Sequence, residues 1–281
     1  MRRGVLLAVC LGLGLTACGG GSTGDTELHV FAAASLQEAL TEIGTRYEAD
    51  HPGVALVFHF DSSGALKTQI QEGAECAVFL SAGKRQMDQL DAAAAPAVAA
   101  AAPEEEPAGE APDLIDSNTR RDLLENQVTL AVPQGNPGGI TSFGRLAERL
   151  EQGNVLAAVG NGDVPVGQYT QRLFRYYGLD EEALAASGVL TYGSNVKEVT
   201  AQILEGTVDC GIVYATDARA AGLMVVDTAT EEQCGRVVYP AAVSRNSGRP
   251  QEARAFLDAL SSGEAAEVFA GMGFTVLAED S

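Results

Sequence analysis

The sequence predicts an α/β protein that has two lobes and a cleft between them. Short apolar runs typical of strands alternate with segments in which apolar residues recur at helical spacing, and this alternation occurs in two successive blocks. Strand–helix alternation is the signature of a parallel sheet covered by helices. The length of 281 residues is too great for one small core and suits one large or two modest domains.

The first block has the order β-α-β-α-β. Its three strands are predicted at residues 28–32, 54–60 and 77–80. Apolar side chains at helical spacing between residues 36 and 47 predict a helix after the first strand, and a second helix is predicted from about Ala65.

The second block repeats this alternation, and the end of the chain is expected to return to the first. Strands are predicted at residues 128–133, 155–159, 188–192, 210–214 and 237–243. Helices are predicted from residue 168, over 196–204, and near 253–260 and 265–269. We therefore predict lobe 1 from residues 27–126 together with 238–281, and lobe 2 from residues 127–237.

Residues 92–112 interrupt lobe 1. They are almost entirely Ala, Pro, Glu and Gly and show no apolar period. Such a segment buries too little apolar surface to offset the entropy lost on ordering. We predict a disordered surface insertion, and a fraying Ala-rich helix in its first half is the alternative.

The N-terminus has the features of an export signal. Two arginines precede an apolar stretch, residues 5–15, that is too short to span a bilayer as a helix. The stretch ends in Leu-Thr-Ala-Cys at residues 15–18, which resembles a bacterial lipobox. We predict a signal peptide at residues 1–17, lipidation of Cys18, and a flexible tether at residues 18–26 that holds the protein outside the cytoplasm on a membrane surface. A plain signal peptide is the alternative.

The composition argues against several classes of partner and site. The formal net charge of −20 disfavours nucleic acid and anionic lipid. A small anion stays compatible, because local dipoles in a cleft outweigh distant surface charge that salt screens. Beyond the export signal, Cys76, Cys210 and Cys234 allow at most one intramolecular disulfide, and the sequence does not choose the pair. None has the spacing of a redox or zinc motif.

Four short stretches place hydroxyl groups or free backbone N–H groups where a strand is followed by a helix. They contain Ser35, the pair Ser62 and Ser63, Val166, and residues 193–197. The first turn of a helix has unpaired N–H groups and the positive end of the helix dipole, so several helix N-termini around a cleft form an anion site without a positive side chain. A single stretch of this kind is more simply a helix cap, and Ser35 falls at such a position. Their recurrence in successive strand–helix units favours a shared site.

These stretches together carry a resemblance to a known family. The segments concerned are residues 31–36 (Phe-Ala-Ala-Ala-Ser-Leu), 62–66 (Ser-Ser-Gly-Ala-Leu), 164–169 (Val-Pro-Val-Gly-Gln-Tyr) and 211–218 (Gly-Ile-Val-Tyr-Ala-Thr-Asp-Ala). In this order they resemble the molybdate-binding proteins of ABC transporters, over about residues 28–274. The resemblance implies two Rossmann-like lobes with a central ligand cleft, the type II periplasmic-binding-protein architecture.

The same resemblance implies that neutral donors hold the ligand. Matched residue by residue, these donors are the hydroxyls of Ser35, Ser63 and Tyr214 and the backbone N–H groups of Val166 and Val196. It implies molybdate or tungstate as the ligand, an ABC permease as the partner, and neither a cofactor nor a bare metal cation; we expect a monomer. Val166 stands where the family has alanine, which keeps the backbone donor and narrows the pocket.

A pocket built from donors suits an anion that carries no proton. Molybdate, tungstate and sulfate are fully deprotonated at neutral pH, whereas hydrogen phosphate needs an acceptor for its proton. Another oxyanion such as sulfate is therefore the nearest alternative ligand. Asp61 and Asp163 lie close in sequence to the donors, so a protonated oxyanion or a metal also stays open.

Two further classes of function are compatible with the sequence. A serine hydrolase would use Ser35 or Ser63, but neither lies in a Gly-x-Ser-x-Gly motif, and only His29, His51 and His59 could act as the base. A surface interaction protein such as an adhesin would suit an anchored acidic chain. We expect a binding protein and not an enzyme.

Overall fold

The computed structural model describes residues 26–94 and 112–278. Its strands are β1 (Thr26–Ala33), β2 (Val54–Asp61), β3 (Val78–Leu80), β4 (Arg121–Asn126), β5 (Val128–Val132), β6 (Ala157–Gly160), β7 (Leu190–Gly193), β8 (Cys210–Tyr214), β9 (Met224–Thr228), β10 (Val237–Val243) and β11 (Thr275–Val276). Its α-helices are α1 (Gln37–Asp50), α2 (Ser63–Gln71), α3 (Lys84–Asp88), α4 (Phe143–Glu151), α5 (Pro165–Tyr176), α6 (Glu181–Ser187), α7 (Val196–Leu204), α8 (Ala215–Ala220), α9 (Glu231–Cys234), α10 (Pro250–Leu260) and α11 (Gly263–Met272).

The predicted α/β class is confirmed, and the strands form two separate sheets. The first sheet has the order β11-β4-β10-β3-β1-β2, and the second has the order β7-β6-β8-β5-β9. We call the first sheet with its helices lobe 1 and the second sheet with its helices lobe 2.

Parallel pairing is limited to part of each sheet. Strand β1 is parallel to β2 and β3, and β6 is parallel to β7 and β8. The parallel pairing predicted for the first block is thus confirmed, and each sheet also contains antiparallel pairs: β10 runs antiparallel to β3 and β4, β11 to β4, and β5 to β8 and β9. Four of these antiparallel strands, β4, β5, β9 and β10, flank the two segments by which the chain passes between the lobes.

Those two segments join the lobes. Strand β4 ends at Asn126 and β5 begins at Val128, so Gln127 alone links the first sheet to the second. The chain returns between Thr228 and Val237, the end of β9 and the start of β10. A double connection of this kind allows rigid lobes to move about a hinge.

Each helix buries one face on its sheet, as the apolar spacing predicts. In α1 the buried positions include Ala39, Leu40, Ile43 and Tyr47, which recur three or four residues apart and therefore lie on one side. The helical pattern around residue 168 begins earlier than predicted, because Pro165 starts α5 and its fixed φ suits a first helical position.

Several predictions fall at the edges of the described ranges or beyond them. The signal peptide at residues 1–17, the lipidation of Cys18 and most of the insertion lie outside the described residues; only the ends of residues 92–112 are described, and Ala92–Ala94 form a 3₁₀ turn. Thr26, predicted as the last residue of the tether, instead pairs with Val54 as the first residue of β1. No helix within residues 26–94 and 112–278 is long and apolar enough to cross a bilayer.

The cysteines of these lobes are buried free thiols. Cys76, Cys210 and Cys234 form no disulfide with one another. Burial raises the pKa of Cys210 to about 12 and that of Cys234 to about 11. They therefore stay protonated and pack as small apolar side chains.

Candidate functional site

A small cavity lies between the lobes, where the carboxyl ends of strands from both sheets meet. Its lining residues are Ala33, Ala34, Ser35, Asp61, Ser62, Ser63, Ala82, Val164, Pro165, Val166, Val196 and Tyr214. All five residues predicted to bind the ligand are among them. The structure thus brings together groups that are up to about 180 positions apart in the chain.

Three helix N-termini contribute to the wall of the cavity. Ser63 and Val196 are the first residues of α2 and α7, and Val166 is the second residue of α5. The N–H groups in the first turn of a helix have no partner within that helix, and the helix dipole makes this end positive. Three such ends around one cavity are an arrangement typical of anion sites, and the lining residues include no lysine or arginine.

Ser63 is positioned to donate into the cavity. Its hydroxyl oxygen accepts a hydrogen bond of 3.0 Å from the backbone N–H of Ala82, at the end of β3. Because an N–H group can only donate, the hydroxyl proton of Ser63 stays available to another acceptor. Ser62, its neighbour, has a different role: its hydroxyl caps α2 by accepting from the N–H of Ala65.

Ser35 is not the helix cap that its position suggests. It lies in a 3₁₀ turn after β1, and no side chain caps that turn or α1. Its hydroxyl lies instead 3.0 Å from the hydroxyl of Tyr239 on β10. The side-chain amide of Asn126 donates to that same tyrosine hydroxyl over 3.1 Å. Asn126 and Tyr239 carry no motif, so the sequence analysis did not identify either residue.

Tyr214 has a buried hydroxyl without a hydrogen-bond partner in the protein. Its ring packs edge-on against Tyr169 and Tyr239, at centroid distances of 6.3 and 5.9 Å. Burial raises the pKa of this phenol well above its ordinary value, so it stays a donor at neutral pH. An unsatisfied buried hydroxyl costs about 1–3 kcal/mol, which a ligand in the cavity would recover by accepting its proton.

Asp61 is the one carboxylate among the lining residues. One of its oxygens accepts from the backbone N–H of Ser62 over 2.7 Å and from the side-chain amide of Asn195 over 3.4 Å. Asn195 belongs to lobe 2, so this carboxylate contributes to contact between the lobes. Within the described residues no group of three or more His, Cys, Asp and Glu side chains could hold a metal ion.

The lobes are closed around the cavity. A Cβ atom built on Gly64 of lobe 1 would lie 2.3 Å from the carbonyl oxygen of Asp163 in lobe 2. Nearby, the ammonium of Lys197 on α7 bonds both carboxylate oxygens of Glu38 on α1, at 2.7 and 2.8 Å. Lys197 also lies 3.1 Å from the buried carboxylate of Asp217, although not in hydrogen-bonding geometry.

The histidines lie elsewhere and bond to other groups. Rings of His29 and His59 are joined by a 3.0 Å nitrogen–nitrogen hydrogen bond on β1 and β2. His51 bonds the backbone carbonyl of Tyr47 over 2.9 Å. None of the three is among the residues that line the cavity, so the serine-hydrolase alternative finds no histidine base there for Ser35 or Ser63.

Known proteins resemble this chain over most of its length. YvgL of Bacillus subtilis (strain 168), named as a candidate ABC transporter substrate-binding lipoprotein, is 31% identical, with 88% of this chain and 86% of YvgL covered. The molybdate-binding protein ModA of Escherichia coli (strain K12) is 30% identical, with 98% of this chain and 99% of ModA covered. Among solved structures, the periplasmic molybdate-binding protein of Azotobacter vinelandii superposes with a TM-score of 0.70 at 18% identity, covering 89% of this chain and 100% of that one, which demonstrates a shared fold.

The family model described as bacterial extracellular solute-binding protein matches residues 28–275. That range contains nearly all of both lobes and every residue lining the cavity. The resemblance drawn from the four motifs is therefore confirmed, and this chain belongs to the bacterial extracellular solute-binding protein family.

Proposed function

We propose that this protein is the receptor component of an ABC transporter and that it binds molybdate, or its close analogue tungstate, in the cavity between the lobes. The observation that carries the proposal is that the residues of all five candidate donors line that cavity. Three are hydroxyls, from Ser35, Ser63 and Tyr214, and two are the N–H groups of Val166 and Val196. Its relatives include molybdate-binding proteins of similar length.

Charge and hydrogen bonding both favour a small deprotonated anion. The lining residues include no lysine or arginine, so the attraction has to come from oriented dipoles. Each hydrogen bond to a charged partner contributes about 1.5–3 kcal/mol, so five together are sufficient for tight binding after the cost of association. A tetrahedral dianion presents acceptors in all directions and can use donors from both lobes at once.

Binding by both lobes explains how the receptor would signal to a permease. Ser35 and Ser63 belong to lobe 1, whereas Val166, Val196 and Tyr214 belong to lobe 2. A ligand that needs both sets of donors favours the closed arrangement, in which the lobes approach at Gly64 and Asp163. The closed surface is then what the membrane partner distinguishes from the open one.

Calorimetric titration of the purified protein with molybdate, tungstate, sulfate and phosphate tests this function. We expect molybdate and tungstate to bind more tightly than sulfate, and phosphate to bind most weakly. Tight sulfate binding with weak molybdate binding would reassign the ligand. No binding of any of the four would refute the oxyanion receptor and favour an interaction protein.

Attachment through Cys18 and a monomeric state also belong to this proposal. The lipobox-like residues 15–18 support the anchor, and YvgL is named as a lipoprotein. Fractionation of cells that express the full chain or Cys18→Ala tests the anchor: the parent should remain with membranes and the variant should not. Gel filtration of the detergent-solubilised protein tests the monomer.

A further inference from the structure

Two residues that do not line the cavity are linked to the hydroxyl of Ser35 by hydrogen bonds. Ser35, Tyr239 and Asn126 form a chain of hydrogen bonds that begins at the cavity and ends at the segment joining the lobes. All three are nearly inaccessible to solvent, with 4%, 1% and 5% of their surface exposed. We refer to them as the Asn126–Tyr239–Ser35 chain.

The orientation of the Asn126 amide is determined by its neighbours. Its carbonyl oxygen accepts a 2.8 Å hydrogen bond from the backbone N–H of Gln127, a group that can only donate. The amide nitrogen therefore faces the other way, 2.9 Å from the hydroxyl of Thr216 and 3.1 Å from that of Tyr239. Both of its protons are used by these two contacts.

This orientation determines the next proton in the chain. The Tyr239 oxygen accepts from Asn126, and the only hydrogen-bond acceptor left for its own proton among the described contacts is the Ser35 oxygen 3.0 Å away, so donation from Tyr239 to Ser35 is the direction that satisfies both hydroxyls. Burial raises the pKa of Tyr239 well above its ordinary value, so that proton is retained at neutral pH. Ser35 then accepts behind the cavity and has its own proton free for a ligand.

We infer that Asn126 and Tyr239 are positioning residues that select against protonated oxyanions by holding the Ser35 hydroxyl as a donor. The inference rests on the proposed function and refines its specificity. The backbone N–H of Ala82 has the same effect on Ser63, so both serines present protons to the ligand. Hydrogen phosphate has the charge of molybdate and one additional proton, and that proton meets a donor where it requires an acceptor.

Tyr239→Phe tests the inference, because it removes the hydroxyl and keeps the ring that packs on Tyr214 and Phe274. Without that hydroxyl, Ser35 can rotate and accept a proton from the ligand. We expect molybdate binding to weaken about tenfold, and the preference for molybdate over phosphate, measured by calorimetric competition, to fall by about tenfold or more.

Tyr177→Phe is the matched control, because it also removes a tyrosine hydroxyl that accepts a hydrogen bond. That hydroxyl accepts from the side-chain amide of Gln233 over 2.7 Å, and Tyr177 does not line the cavity. It should keep the wild-type preference. If Tyr239→Phe fails to fold, as judged by thermal unfolding, Asn126→Ala takes its place, because it frees the Tyr239 proton and should lower the same preference.

The outcomes separate this inference from the proposed function. The inference would be overturned, and the proposed function kept, by two results together. The folded Tyr239→Phe or Asn126→Ala protein would show an unchanged preference for molybdate over phosphate, and Ser35→Ala would lose molybdate binding. Failure of the wild-type protein to bind any oxyanion would overturn the proposed function and this inference with it.

Discussion

Replacing Gly64 by alanine is expected to abolish ligand binding without destabilising the protein. Gly64 is the second residue of α2 and lies in lobe 1, against the carbonyl oxygen of Asp163 in lobe 2. An alanine Cβ would lie 2.3 Å from that oxygen, whereas ordinary contact begins at 3.4 Å. The carbonyl is backbone and cannot rotate away, so the lobes have to separate locally by about 1 Å.

A separation of this size exceeds what a hydrogen bond tolerates. A donor and acceptor at about 2.9 Å would move to about 3.9 Å, beyond hydrogen-bonding range. The ligand would then lose the donors of one lobe, which for lobe 2 are Val166, Val196 and Tyr214. Loss of two such bonds at about 1.5–3 kcal/mol each amounts to about 3–6 kcal/mol, a weakening of a hundredfold or more.

The stability of the unliganded Gly64→Ala protein should be unchanged or slightly higher, although its affinity for the ligand falls. In the open, unliganded protein the new methyl group meets no carbonyl, and alanine is favoured over glycine in a helix by up to about 1 kcal/mol. Gly144→Ala is a matched control, because Gly144 is also the second residue of a helix, α4, but its Cβ would have no neighbour nearer than 3.8 Å. It should bind molybdate like the wild type.

Calorimetric titration with molybdate and thermal unfolding without ligand together measure both effects. We expect Gly64→Ala to unfold at or above the wild-type temperature and to show little or no molybdate binding. Molybdate affinity within about threefold of wild type in Gly64→Ala would refute the closed geometry on which the site rests, since about 1 Å of separation removes far more than that.

Three further predictions concern the ligand, the buried acid and the surface charge. Ser35→Ala should weaken molybdate binding about ten- to a hundredfold by calorimetry, because one hydrogen bond to a charged ligand is lost; wild-type affinity would contradict the assignment. Burial raises the pKa of Asp217 from 3.8 to about 6, so the folded state binds its proton more tightly than the unfolded chain and stability declines as pH rises through that window. Because asparagine does not titrate, Asp217→Asn should raise the free energy of unfolding by up to about 3 kcal/mol at pH 7.5 and have little effect near pH 4. Denaturant titrations at the two pH values measure this, and an equal effect at both would contradict it. Asp258→Asn, on the exposed surface, is the control. The net charge of −20 repels a dianion, so the association rate of molybdate should rise as the salt concentration increases from about 10 to 150 mM. Stopped-flow tyrosine fluorescence measures this rate. A rate that falls with salt would indicate an attractive positive region at the cavity mouth.

Local signals predicted a large part of the fold. Apolar periodicity located most of the helices and the central strands, because a residue's burial within one helix or strand depends mainly on its position in that element. It missed β4, β9 and β11, whose pairing partners lie far away in the chain. The mixed direction of the sheets was likewise not visible, since it depends on where the chain crosses between lobes.

The same division applies to the site. The five ligand-binding candidates follow strand ends or begin helices, and those positions carry recognisable motifs. The Asn126–Tyr239–Ser35 chain of hydrogen bonds carries no such motif. Tyr239 is 204 residues from Ser35 and 113 residues from Asn126 in the sequence. Nothing in the neighbourhood of Tyr239 or Asn126 indicates that their side chains meet, and the position of Ser35 suggested a helix cap instead.

The sequence alone was sufficient to predict the class of the fold, the family and the candidate donor residues, because short contiguous patterns indicate each of them. Only the folded structure shows that these candidates line one cavity, that Gly64 lies against Asp163, and that the hydroxyls of Ser35 and Tyr239 are hydrogen-bonded to each other. Those properties depend on distances between segments far apart in the chain, and a hydroxyl takes its direction from the donors and acceptors that folding brings beside it.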